Sequence, residues 1–224
     1  MNQALFGVYP YVALAVFLLG SLVRYDRDPY TWKSDSSQLL RHGQLRWGSN
    51  LFHLGILGIF FGHLFGLLTP VAVWHALGVS VAQKQMLAIV AGGIAGLACL
   101  LGLCLLAHRR LTVPRVRATS RAMDFAVLAL LAAQVLLGLY SISFSLAHRD
   151  GGEMLRFMAW AQGIFTLDPG AAGYVAEAAW VFKAHIVLGL TIFLVFPFTR
   201  LVHVWSGFAA LGYLGRAWQI VRRA

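Results

Sequence analysis

The sequence has few charged residues and very few acids. Charged residues occupy 12% of its 224 positions, with 8 acids in total, whereas 59% of the residues are hydrophobic. So little polar surface cannot cover a water-soluble core, which excludes an ordinary soluble globular protein. The composition predicts an all-α, polytopic membrane protein with a single domain over residues 1–224.

Cysteine is scarce as well, and this excludes a disulfide framework. Cys99 and Cys104 lie five residues apart in one apolar run. On a helix they face different directions and do not bridge easily. Neither cysteine begins a C-x-x-C-H motif, so covalent attachment of a c-type haem is also excluded.

Five apolar stretches are long enough to cross a membrane, and we predict helices over residues 4–22, 50–69, 86–108, 125–145 and 183–205. The first has no basic residue before it and is too long for the core of a secretory signal, so we expect it to be retained. In the loop between the last two spans, EMLRFMAWAQGIF has the mixed character of a helix lying at the membrane surface.

Basic residues alternate between the two predicted sides of the membrane. The net charge of +10 would suggest nucleic-acid binding in a soluble protein, but here the positive-inside bias explains it and no nucleic-acid partner is expected. Successive loops and the C-terminal tail hold five, one, five, two and three basic residues. The pattern predicts an outward N-terminus and a cytoplasmic C-terminus, with Lys84 in the first outer loop.

Four histidines lie within apolar stretches, which makes them candidate functional residues. His53 and His63 lie in the second predicted span and stand about 80° apart around its axis. His185 and His203 are eighteen residues apart in the fifth, so five helical turns place them on one face. Because the two helices run in opposite directions, His63 pairs with His185 near the outside and His53 with His203 near the cytoplasm.

Two bis-histidine sites of this kind suit haem iron. The vertical spacings of about 15 Å and about 27 Å differ, and a bend at Pro197 would absorb part of the difference. Arg200, three residues before His203, and Arg110 are candidate partners for haem propionates, or else only topology determinants. The second span also carries four glycines, Gly55, Gly58, Gly62 and Gly66. The preferred interpretation is a face that packs closely against another helix, and the secondary one is that Gly62 leaves room for a cofactor beside His63.

Other interpretations stay open at this point. The histidines fit structural roles, and they also fit a zinc or transition-metal site in a haem or metal transporter. A carboxylate would be expected in a metal transporter, but all eight acids fall outside the central spans. A transporter would also be expected to show internal repeats, and a purely structural anchor has no need of four intramembrane histidines.

Several strings carry a resemblance to a known family: YPY, RYD, YTW, SNLFHLGILGIFFGHLFGLLTP, PRVRAT, WAQ and FPFTRLVHVWS. With these strings the chain resembles the gamma subunit of respiratory nitrate reductase, a membrane cytochrome b. The long string of the second span is the most specific of them. Cytochrome b subunits of the formate dehydrogenase or hydrogenase type are the alternative within this class.

The resemblance implies two b-type haems, the outer one held by His63 and His185 and the inner one by His53 and His203. It implies oxidation of menaquinol or ubiquinol beside the outer haem, with Lys84 and Gly62 at the quinol site. Gln85, next to Lys84, and His75, in the same predicted outer loop, are the alternatives to Lys84. Arg110 matches an arginine near the propionates. Electrons would pass to an iron–sulfur subunit and then to a molybdenum subunit that reduces nitrate, on the cytoplasmic side of a bacterial inner membrane.

Overall fold

The computed structural model describes residues 1–28, 31–32 and 42–207. Within these ranges the chain forms helices and no strand, which confirms the all-α prediction. A π-helical turn, Gln3–Val8, leads into the first helix. The helices are α1 (Tyr9–Arg27), α2 (His42–Leu68), α3 (Val71–Ala76), α4 (Val81–Thr112), α5 (Pro114–Ala118), α6 (Ala122–Ala147), α7 (Gly152–Phe165), α8 (Ala171–Tyr174) and α9 (Trp180–Val195).

In the described part of the chain, five helices are long and apolar enough to cross a membrane, as predicted: α1 with its leading turn, α2, α4, α6 and α9. The first four extend beyond the apolar stretches at one end or both, because helical hydrogen bonding continues into polar residues. Ser80, for example, caps α4 by accepting a hydrogen bond from the Gln83 N–H, and the Gln83 side chain accepts one from the Ser80 N–H. The prediction that Lys84 lies in a loop is therefore wrong, since Lys84 is in the first turn of α4.

Close glycine contacts pack α2 antiparallel to α4. A Cβ atom added to Gly55 would lie 2.5 Å from the backbone nitrogen of Cys99, and one added to Gly58 would lie 3.2 Å from Ala95. Added Cβ atoms at Gly62 and Gly66 would meet nothing within 4 Å. The predicted packing face is thus confirmed for the first two glycines and wrong for the last two, which face open space.

The remaining spans complete the bundle around two sets of contacts. Cys99 and Leu103 of α4 form a buried cluster with residues of α6, whereas Cys104 is exposed, so the two cysteines do face different directions. Helix α1 runs parallel to α9, with the Tyr9 hydroxyl 2.9 Å from the Thr191 hydroxyl near one end. We call the end where α1 and α4 finish the arginine-rich end, and the other the opposite end.

The fifth predicted span is not one continuous helix. Helix α9 ends at Val195 and is followed by a 3-10 turn, Phe196–Phe198, an extended residue at Thr199, and a second 3-10 turn, Arg200–Val202. Pro197 explains the break, because proline lacks an N–H and its ring clashes with the preceding turn. Five continuous helical turns therefore do not join His185 to His203, and the interruption expected at Pro197 is a full break rather than a bend.

Helix α7 is the predicted amphipathic helix, and it covers the opposite end. The Gln162 amide donates to the Leu67 carbonyl at the end of α2, and the Trp160 indole donates to the Phe6 carbonyl before α1. The first bond satisfies a carbonyl that the end of α2 leaves without a helical partner, and the second ties α7 to the start of the first span. They also fix the end of the bundle near which His63 lies.

Candidate functional site

The structure brings the four intramembrane histidines together in two pairs across α2 and the segment containing α9. The ring centres of His63 and His185 lie 6.1 Å apart, and those of His53 and His203 lie 6.3 Å apart. The first pair lies towards the opposite end of the bundle and the second towards the arginine-rich end. These are the pairs expected from the order of the histidines along the chain.

Backbone carbonyls orient three of the imidazoles. In His53 the Nδ1–H donates to the Ser49 carbonyl (2.7 Å), and in His63 it donates to the Ile59 carbonyl (2.8 Å). In His203 it donates to the Arg200 carbonyl (2.6 Å). A carbonyl only accepts, so each Nδ1 carries the proton and each Nε2 keeps a free lone pair. Metal-binding histidines commonly show this arrangement.

His185 is held by α6 instead. The Gln134 amide donates to the His185 carbonyl (3.1 Å), and a Cβ added to Gly138 would lie 3.0 Å from Cε1 of the ring. The Gln134 amide also lies 3.4 Å from Nε2 of the ring, whereas the buried Nδ1 has no hydrogen-bond partner among the described residues, so no carbonyl fixes the tautomer of His185. Sequence reasoning missed Gln134 and Gly138, although a single glutamine in the fourth apolar stretch is a signal of a polar contact.

The spacing of the pairs fits haem iron. Two iron–nitrogen bonds of about 2 Å, with about 1 Å more from each nitrogen to its ring centre, place the ring centres about 6 Å apart. The porphyrin supplies the other four ligands, so two imidazoles suffice. A zinc site takes four ligands, and no group of three or more His, Cys, Asp or Glu side chains clusters within the described residues. The residues present therefore fit haem better than zinc.

The arginines predicted to contact propionates meet at one carboxylate. Arg110 Nη1 lies 2.9 Å from Asp124 Oδ2, and Arg200 Nε lies 2.9 Å from Asp124 Oδ1. Asp124 is 8% exposed and also accepts a hydrogen bond from the Arg121 backbone N–H at the start of α6. The carboxylate thus complements the helix dipole, as its position in the sequence predicts, and joins α4 to the turn after α9.

Lys84 reaches the end of α2 that carries His63. Its ammonium group donates to the Gly66 carbonyl (2.6 Å), one helical turn beyond His63, and lies 3.1 Å from the Met158 sulfur of α7. It also lies 5.3 Å from the centre of the Trp74 ring, so an aromatic face helps compensate the burial of the charge. Lys84 is only 3% exposed.

The side chains of Gln85 and His75, the two alternatives to Lys84 as quinol-site residues, form no hydrogen bond with α2 in the described structure. The Gln85 amide donates to the carbonyls of Ser145 and His148 at the end of α6. His75 is exposed on the short helix α3. Gly62, next to His63, faces open space. Of the three side chains considered for the quinol site, Lys84 is therefore the one that forms a hydrogen bond with α2.

Comparison with known proteins gives similarity over the full chain. The model of the family described as nitrate reductase gamma subunit matches residues 2–224. The respiratory nitrate reductase 1 gamma chain of Escherichia coli is 48% identical over 222 residues, covering 99% of this chain and 97% of that protein. The respiratory nitrate reductase 2 gamma chain of the same organism is 51% identical over 224 residues, with the same coverage. The nitrate reductase gamma chain of Bacillus subtilis is 37% identical over 222 residues, covering 99% and 98% of the two chains.

Proposed function

The chain belongs to the nitrate reductase gamma subunit family, and from this premise we propose that it oxidises quinol at the end of the bundle near His63 and His185. Family membership makes it a multi-pass membrane protein and an electron-transfer subunit of an oxidoreductase complex. The quinol reaction, the number of haems and the direction of transfer are our proposals. The formate dehydrogenase and hydrogenase types are not retained, because the full-length matches are to nitrate reductase gamma chains.

One observation carries the proposal: two histidine pairs with haem-compatible spacing lie towards opposite ends of one bundle. We assign one b-type haem to His63 with His185 and a second to His53 with His203. When bound, the haems supply one-electron carriers at two depths, which a protein needs in order to move electrons across an apolar layer. The chain contributes the imidazoles and their orienting hydrogen bonds.

Quinol binding is assigned to the surroundings of Lys84 and Gly62. A buried ammonium is a strong hydrogen-bond donor for a quinol or quinone oxygen. The open space beside Gly62 leaves room for a flat ring next to His63. Oxidation of one quinol releases two electrons and two protons; the electrons leave singly towards the second histidine pair, and the protons leave on the outer side.

The arginine-rich end is assigned to the cytoplasm, with an outward N-terminus and a cytoplasmic C-terminus. Within the described residues, helix α5 and its adjoining turns are too short to form a catalytic domain at this end, which supports a need for partner subunits there. We propose that an iron–sulfur subunit docks at this end, receives the electrons and passes them to a molybdenum subunit that reduces nitrate. Under this proposal Arg110 and Arg200, beside the inner histidine pair, also interact with haem propionates.

The deciding experiment is a reduced-minus-oxidised optical spectrum of the complex purified in detergent, with a haem count per gamma chain. We expect two b-type haems, both reduced on addition of menaquinol or ubiquinol analogues. Fewer than two haems per chain would overturn the proposal that each of the two histidine pairs binds a haem. Two haems that quinol fails to reduce would overturn quinol oxidation while leaving the ligand assignment intact.

A further inference from the structure

His203 lies beyond the break in the last span, so no continuous helix fixes its position. Residues 196–202 form two 3-10 turns around the extended Thr199. Such a break leaves backbone carbonyls without helical partners, and in an apolar layer these groups need donors from elsewhere. The neighbours that supply these donors also determine where His203 is held.

Arg24 of α1 supplies donors on one side of the break. Its Nη1 donates to the carbonyls of Pro197 (2.6 Å) and Thr199 (2.7 Å). Its Nε and Nη2 donate to Thr31, so the guanidinium plane is held at both edges. Nη1 therefore joins the two carbonyls of the break while Nε and Nη2 anchor the guanidinium to Thr31, and a lysine ammonium with its single nitrogen cannot make both sets of contacts.

Asp124 of α6 holds the same segment from another side. Its carboxylate binds the Arg200 guanidinium at 2.9 Å and is kept in place by Arg110 and the Arg121 N–H. The backbone carbonyl of Arg200 in turn accepts the Nδ1–H of His203 at 2.6 Å. A short chain of contacts thus leads from α6 to the imidazole.

We propose that Arg24 and Asp124 are positioning residues for His203, fixing the plane of its imidazole from two sides of the broken span. The inference rests on the proposed function, because it takes His203 as a haem ligand. Arg24 acts through the backbone carbonyls of Pro197 and Thr199, and Asp124 acts through the side chain of Arg200, whose backbone carbonyl binds the imidazole. Outer groups of this kind orient metal-binding histidines and tune the metal that they bind.

The chain offers a matched control for each residue. Arg27 lies on the same helix as Arg24, is exposed and forms no hydrogen bond or ion pair with any residue that the structure describes, so R27Q makes the same charge change as R24Q. Asp26 is exposed, and D26N matches D124N. R24K keeps the charge at position 24 but loses the bonds that anchor the guanidinium to Thr31.

Two measurements on the purified complex test the proposal. The first is the low-spin EPR spectrum of the oxidised protein, whose largest g-value depends on the orientation of the axial imidazoles; signals are assigned with H203A and H63A. We expect R24Q, R24K and D124N to shift the signal lost in H203A and to leave the other unchanged. The second is hydrogen exchange in residues 196–204, which we expect to become faster in these three variants.

The controls and H203A separate the outcomes. R27Q and D26N are expected to match the parent protein in both measurements. Unchanged EPR signals in R24Q and D124N, or equal shifts in R27Q and D26N, would overturn the positioning role, since charge alone would then explain the effect. An H203A variant that kept two haems would instead overturn the ligand assignment on which the inference rests.

Discussion

At the scale of single residues, the buried charges of Lys84 and Asp124 have specific partners that offset their desolvation. Lys84 donates to a carbonyl, and Asp124 binds two guanidinium groups. Burying a charge without such partners costs several kcal/mol, on the order of 3 or more. Removing one partner therefore destabilises the charged group left behind.

Replacement of His63 by alanine is expected to lower the haem count from two to one per chain and to stop quinol oxidation, because one of the two imidazoles that would hold the outer haem is lost. Haem extraction with optical spectroscopy measures the first effect, and quinol-dependent nitrate reduction measures the second. His75→Ala, which removes an exposed histidine at the same end, is the control and should retain both haems. A His63→Ala variant with two haems and full activity would contradict the ligand assignment.

Replacement of Lys84 by alanine should reduce kcat/KM for quinol by about tenfold to a hundredfold, the range for loss of a charge-assisted hydrogen bond. Haem content is expected to stay at the parental level, since the contacts of the Lys84 ammonium are with Gly66, Met158 and Trp74 and not with the imidazoles of His63 and His185. Lys183 is the matched control, because it is the other lysine at this end in the described part of the chain and donates to the Ala176 carbonyl. Equal kinetic losses in Lys84→Ala and Lys183→Ala would argue against a quinol contact.

Glu153, at the start of α7, is expected to make stability fall with rising pH. Burial raises the pKa of its carboxyl above the usual range, against the opposing charges of His148 and Arg156. The folded state therefore holds the proton to higher pH than the unfolded state, so the free energy of unfolding decreases as pH rises from about 4, the ordinary value for glutamate.

The Glu153→Gln variant tests this pH dependence, because glutamine keeps the shape and cannot ionise. We expect its thermal unfolding temperature in detergent to match that of the parent protein near the ordinary pKa and to exceed it at neutral pH. A difference that is constant over the whole pH range would mean that the carboxyl group is not responsible.

At the scale of helices, α2 has two different functional halves. Its first half packs so closely on α4 that only glycine fits at Gly55, and its second half leaves Gly62 and Gly66 facing open space next to His63. One helix thus combines a tight packing seam with a face available to a cofactor. Substitution of glycine by alanine should separate the two halves.

Gly55→Ala is expected to lower the free energy of unfolding by about 1–3 kcal/mol, because its methyl group would lie 2.5 Å from the backbone of α4. Gly62→Ala meets no neighbour and gains helix propensity of about 1 kcal/mol, so the bundle itself should be no less stable. Its methyl group should instead reduce quinol oxidation or outer-haem content. Thermal unfolding, haem counts and quinol kinetics measure the three effects, and equal unfolding temperatures for the two variants would contradict the division.

At the scale of the whole molecule, the alternating helix directions collect basic side chains at one end. Helices α1, α4 and α9 run towards the arginine-rich end, and α2 and α6 run away from it. Among the described residues, the arginines at the arginine-rich end are Arg24, Arg27, Arg46, Arg109, Arg110, Arg115, Arg117, Arg121 and Arg200. The separation of charge is what the positive-inside bias produces in a multi-pass protein.

Reporter fusions should show the proposed orientation. A fluorescent protein fused after Ala224 is expected to fluoresce and alkaline phosphatase at the same position to be inactive, because the C-terminus is assigned to the cytoplasm. Fusions after Gly78, in the connection between α3 and α4, should give the reverse result. Active phosphatase at the C-terminus would overturn the orientation and, with it, the side assigned to proton release.

Much of the site was predictable because it depends on local sequence patterns. Apolar stretches located the five spans, and the order of the histidines paired them by depth. The bounds of the helices were less predictable, since hydropathy reports which residues avoid water and not where hydrogen bonding stops. Hydropathy alone therefore places Lys84 in a loop, although Ser80 and Gln83 have the spacing of a capping box, which marks the start of a helix.

The sequence by itself thus determined the class of protein, the number of apolar spans and the pairing of the four histidines, because length, hydropathy and order along the chain suffice for each. Only the tertiary structure decided how Pro197 ends α9, that Arg24 meets the freed carbonyls, and that Asp124 joins Arg110 to Arg200. It also decided which glycines of α2 face a neighbour. These contacts join residues far apart in the chain, so no local pattern encodes them, and the packing of whole helices brings them together.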